Sequence, residues 1–225
     1  MGRSHDFEAQ RAAMVERQLR RRGIDDERVL AAMAEVPREL FVPSDQRRRA
    51  YRDGALPIGL GQTISQPWIV AAICQALELE GPESVLEIGT GSGYSTAVLA
   101  RLARGVLTLE RIAELAVGAR ELLAEAGADN AEVLIADGSL GLPGRATFDA
   151  IAVHATAPAV PRALLSQLRP GGLLVIPIAE EGADMLTAYR RTGGPLDHAA
   201  GEGLEARAIG PCRFVPLIGY EGFAE

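Results

Sequence analysis

The sequence predicts an α/β protein: a doubly wound, mostly parallel sheet with an N-terminal helical extension. Three observations predict it. From residue 66 onward short apolar runs alternate with helix-length segments, the pattern of strands joined by crossover helices. The first of these runs, Val85-Leu86-Glu87-Ile88, passes straight into Gly89-Thr90-Gly91-Ser92-Gly93 and then into a helix. The next two runs end on the carboxylates Glu110 and Asp137, which sets polar groups along one rim of the sheet.

The first 35 residues read as two helices. The segment 7–22 is closed by Gly23, the residue a left-handed C-terminal cap favours. Asp25-Asp26-Glu27 then puts acids into the first turn of a second helix, which Val36-Pro37 stops. Residues 38–66 read as an ordered loop: Pro43, Gly54, Pro57, Gly59 and Gly61 interrupt it, while Leu56, Ile58, Leu60 and Ile64 anchor it. A loop this long inside a compact domain is usually functional. Helices are expected at 67–79, with Pro67 near the first position, and at 95–102, 112–126 and 161–168. Strands are expected at 85–88, 106–109, 132–136, 148–153 and, after a Pro170-Gly171-Gly172 turn, 173–178. Two antiparallel strands, 185–191 and 206–217, close the sheet around a loop at 193–203; their order in the sheet is left open. The expected organisation is an N-terminal part, 1–66, of helices and loop packed on a main domain, 67–225.

Composition removes several functions. At 225 residues and 48% apolar content the chain suits one well-buried domain. No uninterrupted apolar run approaches a membrane span of about 18 residues, and the polar start lacks a secretory h-region; a cytoplasmic, monomeric protein without a membrane partner is expected. The net charge of −7 disfavours nucleic acid, and Arg20-Arg21-Arg22 and Arg47-Arg48-Arg49 read as solvated helix faces. All 23 basic residues are arginine, which excludes P-loop phosphoryl transfer, Schiff-base chemistry and pyridoxal phosphate, each of which needs lysine. Cys74 and Cys212 have no Cys or His at ligand spacing and are expected to be reduced thiols rather than metal ligands.

The chemistry gathers at the strand ends. Glycines suit a tight turn whose backbone must approach a bound group, although a structural turn would look alike. Glu110 lies about 20 residues beyond the loop, where an acid accepts hydrogen bonds from ribose hydroxyls. Asp137-Gly138 offers a third polar group at the same rim. The loop reads G-x-G-x-G rather than the dinucleotide pattern G-x-G-x-x-G, and Glu87 just upstream would repel a pyrophosphate but suit a cationic methionyl group. The residues therefore favour S-adenosyl-L-methionine over NAD as the cofactor.

At this point the residues resemble a known family. Val85-Leu86-Glu87-Ile88-Gly89-Thr90-Gly91-Ser92-Gly93-Tyr94 is similar to the cofactor motif of protein-L-isoaspartate O-methyltransferases. More specific are Val36-Pro37-Arg38-Glu39-Leu40-Phe41-Val42-Pro43 and the stretch Leu56-Pro57-Ile58-Gly59-Leu60-Gly61-Gln62-Thr63-Ile64-Ser65-Gln66-Pro67, which resembles the family's substrate loop. Asp137-Gly138, Phe148-Asp149-Ala150-Ile151, Leu168-Arg169-Pro170-Gly171-Gly172 and Arg213-Phe214-Val215-Pro216-Leu217 follow in order, so the resemblance spans about 14–217. It implies a Rossmann-like S-adenosylmethionine-dependent methyltransferase fold. The implied activity is methyl transfer to the α-carboxylate of L-isoaspartyl residues in damaged proteins and peptides. It also implies that Ser65 is the catalytic serine, that Thr63, Ile64 and Ser65 meet the substrate, and that Glu87, Gly89, Gly91, Glu110, Asp137 and Gly138 hold the cofactor. Ser65 could instead cap the helix beginning at Pro67. A carboxylate nucleophile is already ionised at neutral pH and needs no base, so His154, at the end of the 148–153 strand, is read as pocket-lining or structural. It departs from the small or hydroxyl residue the family often has there. Two other readings stand beside this one: a relative that methylates aspartate in dedicated peptides, and an NAD-binding protein without methyl transfer.

Overall fold

The computed structural model describes residues 6–145, 147–193 and 203–224. The N-terminal helix departs from a regular α-helix. It runs as α1 (Phe7–Met14), widens to a π turn over Val15–Leu19, tightens to 3₁₀ over Arg20–Arg22 and closes at Gly23 with φ 89°. Met14 and Leu19 are both buried, yet residues five apart lie about 140° apart on an α-helix. The π turn brings them onto the same side. Asp26 caps α2 (Glu27–Glu35) by accepting from the Arg28 and Val29 amides, and of the three acids expected in the first turn Glu27 lies there.

The segment read as a loop is more regular than expected. It contains short 3₁₀ turns at Arg38–Phe41 and Arg47–Arg49. A β-hairpin of β1 (Leu56–Gly59) and β2 (Gln62–Ile64) follows, pairing Leu56 with Ile64 and Pro57 with Thr63. Strands this short, one of them carrying a proline, leave no readable alternation. They persist because Leu56 and Ile64 are buried against the rest of the molecule.

Helices and strands then alternate as predicted: α3 (Pro67–Ala76), β3 (Ser84–Ile88), α4 (Tyr94–Leu102), β4 (Gly105–Glu110), α5 (Ala113–Glu125), β5 (Ala131–Ile135), β6 (Phe148–Val153) and α6 (Arg162–Gln167). The next strand, β7 (Leu168–Ile178), begins earlier than the sequence suggested, because Pro170-Gly171-Gly172 lies within it. Its register against β6 shifts between Phe148 and Ala150 instead of breaking into a turn. β8 (Asp184–Arg191) and β9 (Leu204–Cys212) follow, and most of the loop expected at 193–203 lies outside the described residues.

The sheet order is β5-β4-β3-β6-β7-β8-β9, with β3 to β7 parallel and β8 and β9 antiparallel additions. This decides the point the sequence left open: β8 pairs with β7 and β9 forms the edge. Alternate residues of each strand feed opposite faces. Val85, Val106, Ala150 and Val175 join the core beneath α2 to α5, which also takes in Met14, Met33, Val36 and Phe41. Leu86, Leu109, Ile151 and Ile176 pack with Leu164, Leu165 and Leu217 on the other face. Chain direction reverses beside β3, whose neighbours are β4 and β6. In open α/β sheets that switch point opens a crevice at the strands' carboxyl ends.

Candidate active site

The crevice is built from the glycine turn outward. Gly89, Gly91 and Gly93 carry φ of 91°, 55° and 90°, the left-handed region that glycine enters without a side-chain penalty. The turn is pinned from β4: Glu110, 6% exposed, accepts the Gly91 amide at 2.9 Å and the Ile112 amide at 3.0 Å. Thr90 and Thr108 join through their hydroxyls at 2.7 Å. A carboxylate offers about four acceptor positions, so Glu110 keeps capacity for a ribose diol.

An open cleft lies over this turn. Gly89, Gly91, Glu110 and Gly138 line it together with Thr63, Ile64 and Ser65. The hairpin therefore stands over the glycine turn; Ile58 Cδ1 would be 3.5 Å from a Cβ at Gly91. Gln66, not Ser65, holds the N-cap position of α3, and it makes no side-chain cap bond. Among the described residues the Ser65 hydroxyl has no hydrogen-bond partner. The capping role is therefore vacant, and the hydroxyl is available to whatever fills the cleft.

Two residues expected at the cofactor stand elsewhere. Glu87 is fully buried behind the cleft wall, where its oxygens accept from Ser95 Oγ and Thr96 Oγ1, each at 2.5 Å. His154 Nε2 lies 3.2 Å from the same carboxylate. Burial pushes the Glu87 carboxyl up, but the hydrogen bond from His154, with those of the hydroxyls beside it, outweighs this and holds it below its ordinary value. Glu87 thus reaches the cleft only through Ser95 and His154, both of which line it. Asp137 faces a neighbouring cavity with Arg111 and Ile218. Its Oδ1 accepts the Ser139 amide and hydroxyl, and its Oδ2 accepts the Tyr220 amide at 2.8 Å.

Sequence reasoning missed part of the wall. Tyr94, Ser95, Ile112 and the segment 215–218 also line the cleft. The last arrives from the far end of the chain, held by Leu217 N–H to Thr156 O at 2.7 Å and Thr156 N–H to Val215 O at 2.9 Å. No local pattern signals that closure. Ser95 was legible in principle, as the second residue of the helix that opens from the glycine turn.

Comparison with known proteins places the molecule. The family model for protein-L-isoaspartate (D-aspartate) O-methyltransferases matches residues 9–222. The chain belongs to that family. A protein-L-isoaspartate O-methyltransferase of Methanoculleus marisnigri is 48% identical over 95% of this chain and 94% of its own length. One from Marinobacter nauticus is 52% identical over 95% and 94%. Among solved structures, a protein-L-isoaspartate O-methyltransferase of Plasmodium falciparum, crystallised with S-adenosyl-L-homocysteine, superposes with a TM-score of 0.78 at 25% identity, covering 92% of this chain and 98% of that one. Another protein-L-isoaspartate O-methyltransferase gives 0.82 at 26% identity, over 94% and 67%. The doubly wound sheet with its helical N-terminal region is thus the Rossmann-like fold of this methyltransferase family, and both halves of the cleft fall within the matched residues.

Proposed function

We infer that this chain is a protein-L-isoaspartate O-methyltransferase, transferring a methyl group from S-adenosylmethionine to the free α-carboxylate of L-isoaspartyl residues in damaged proteins and peptides. The observation that carries this is the Ser65 hydroxyl, without a partner among the described residues, set directly after the hairpin in the same cleft as the glycine turn and Glu110. The cleft thus suits a nucleoside together with an acceptor that needs only a hydrogen-bond donor.

The cofactor, when bound, supplies an activated methyl on a sulfonium. Everything else asked of the protein is placement. An α-carboxylate has an ordinary pKa of about 3.5, so no residue need remove a proton. Ser65 donates to one carboxylate oxygen and turns the other toward the donor. The amino end of α3 begins directly after it and adds a favourable dipole. Holding the reactants in line is worth about 7–11 kcal/mol in well-oriented systems. Gly89, Gly91, Glu110 and Gly138 hold the nucleoside, while Glu87 fixes the wall behind it. Asp137 serves the site by holding residues 219–221 beside Gly138. The methyl ester then loses methanol as the next backbone nitrogen attacks its carbonyl. The resulting succinimide opens in part to normal aspartate.

In this reading residues 1–66 form the substrate-facing part and 67–225 the cofactor-binding core. The enzyme works as a monomer in the cytoplasm, on isoaspartyl proteins and peptides rather than on nucleic acid or membranes. The net charge of −7 supports this, and among the described residues no helix is long and apolar enough to cross a membrane.

The test is methylation of a synthetic isoaspartyl peptide beside the same peptide with normal aspartate. Transfer to the first and little to the second is expected; equal rates on both, or none on either, would refute the assignment.

A further inference from the structure

His154 contributes nothing to the chemistry above, yet it lies in the cleft wall at the end of β6 with its side chain only 7% exposed. Its surroundings assign its proton. Ser95 donates its single hydroxyl hydrogen to Glu87, so the 3.1 Å contact between Ser95 Oγ and His154 Nε2 requires the ring nitrogen to be the donor. The same N–H faces Glu87 Oε1 at 3.2 Å. In the neutral ring this leaves Nδ1 as a bare acceptor. The described residues give Nδ1 no partner, and it is not among the sealed polar atoms that lack one, which are Gln18 Oε1, Arg38 Nη1 and Arg191 Nε.

Its position along the ligand follows from the sheet. Strand order β5-β4-β3-β6 spreads Gly138, Glu110, Gly89 and His154 over three strand spacings, about 14 Å. With the ribose at Glu110 and the base toward Gly138, the amino-acid end of the methyl donor lies over Gly89 toward β6. There a Cβ at Gly89 would be 3.5 Å from His154 Cβ. We propose that His154 is a cofactor-binding residue whose neutral imidazole accepts the α-ammonium of the methyl donor at Nδ1, so that a proton on this nitrogen and the cofactor compete. This rests on the methyltransferase reading.

Protonation reverses the contact in two ways. It turns Nδ1 from acceptor to donor, and it adds a positive charge beside a group already carrying ammonium and sulfonium. Of the charged groups around the ring, Glu87 in β3 touches it, and α4 presents only the hydroxyl of Ser95. Glu110 and Arg111 line the cleft at the end of β4. Asp184 in β8 accepts from Thr156 Oγ1 and the Phe214 amide.

Calorimetry of the full chain with S-adenosylhomocysteine tests this, from pH 8 down to about 5.5 and in buffers of different ionisation heat. For the unaltered protein, the Kd should rise as pH falls, approaching about tenfold per pH unit for one proton, with proton release on binding. For His154→Asn both effects should shrink to what the ligand's own amine contributes, which is common to both proteins. Equal pH profiles and proton counts for the two would overturn the proposal. Where His154→Asn fails to fold, NMR of the unaltered protein decides: saturating S-adenosylhomocysteine should move the His154 ring titration to lower pH, and an unmoved or raised midpoint overturns it. No binding by the unaltered protein at pH 8 would instead overturn the methyltransferase reading, and this proposal with it.

Discussion

Replacing Ser65 by alanine separates placement of the acceptor from everything else in the site. The hydroxyl has no partner among the described residues and is half-buried, so its loss leaves no orphaned donor or acceptor inside the protein. Stability should stay within about 0.5 kcal/mol, a shift of about 2 °C or less in Tm for a chain of this size. The hydroxyl is also not part of the Glu110 and glycine-turn network, so affinity for S-adenosylhomocysteine should change by less than about twofold. What disappears is a hydrogen bond to an ionised carboxylate, worth about 1.5–3 kcal/mol. At 1.36 kcal/mol per decade, kcat/KM on an isoaspartyl peptide should drop roughly 10- to 150-fold. The assay is initial-rate methylation with saturating cofactor, paired with calorimetry of the same preparation. A cofactor affinity that fell as far as the rate would show Ser65 to be structural. An unchanged rate would show that it does not touch the acceptor.

Two further outcomes follow from Gly138 and Asp137. A Cβ at Gly138 would stand 2.3 Å from Ile88 Cγ2, more than 1 Å inside a contact of about 3.5–4.0 Å. Gly138→Ala should therefore destabilise by about 1–3 kcal/mol and weaken S-adenosylhomocysteine binding, because Ile88 leads directly into Gly89; a melting curve and calorimetry together check it, and unchanged values in both would refute the packing argument. Asp137 gives a pH dependence: burial pushes its carboxyl up, but hydrogen bonds from Tyr220 and Ser139 and the charge of Arg111 hold it below its ordinary value. Since the folded value is the lower one, the anchoring of residues 219–221 is complete above the ordinary carboxylate range and is lost as pH falls through the depressed value. The Tyr220 amide resonance should titrate with Asp137, at a midpoint below about 3.9; a resonance indifferent to that titration would count against the anchor.

Much of this architecture was readable because its signals are local. Gly23 closes the first helix and Asp26 opens the second, since caps depend on a few adjacent residues. Buried parallel strands such as Val85-Leu86-Glu87-Ile88 are apolar through their own length, and the turn after them needs glycine whatever surrounds it. The hairpin at 56–64 escaped because its strands are three and four residues long, too short to display a period. Pro170-Gly171-Gly172 pointed to a turn, but pairing with β6 and β8 keeps the chain in a strand.

The site divides in the same way. By itself the sequence determined the cofactor class, since the glycine turn and Glu110 each occupy one short stretch, and the family resemblance pointed to Thr63-Ile64-Ser65 as the acceptor loop. Only the tertiary structure decided what those residues face. It left Ser65 without a partner among the described residues while Gln66 took the start of α3, and it sank Glu87 behind Ser95 and His154. It also turned Asp137 toward Tyr220 and brought 215–218 across to complete the wall. Burial and hydrogen-bond partnership are settled between residues 59 and 83 positions apart, beyond the reach of any local pattern.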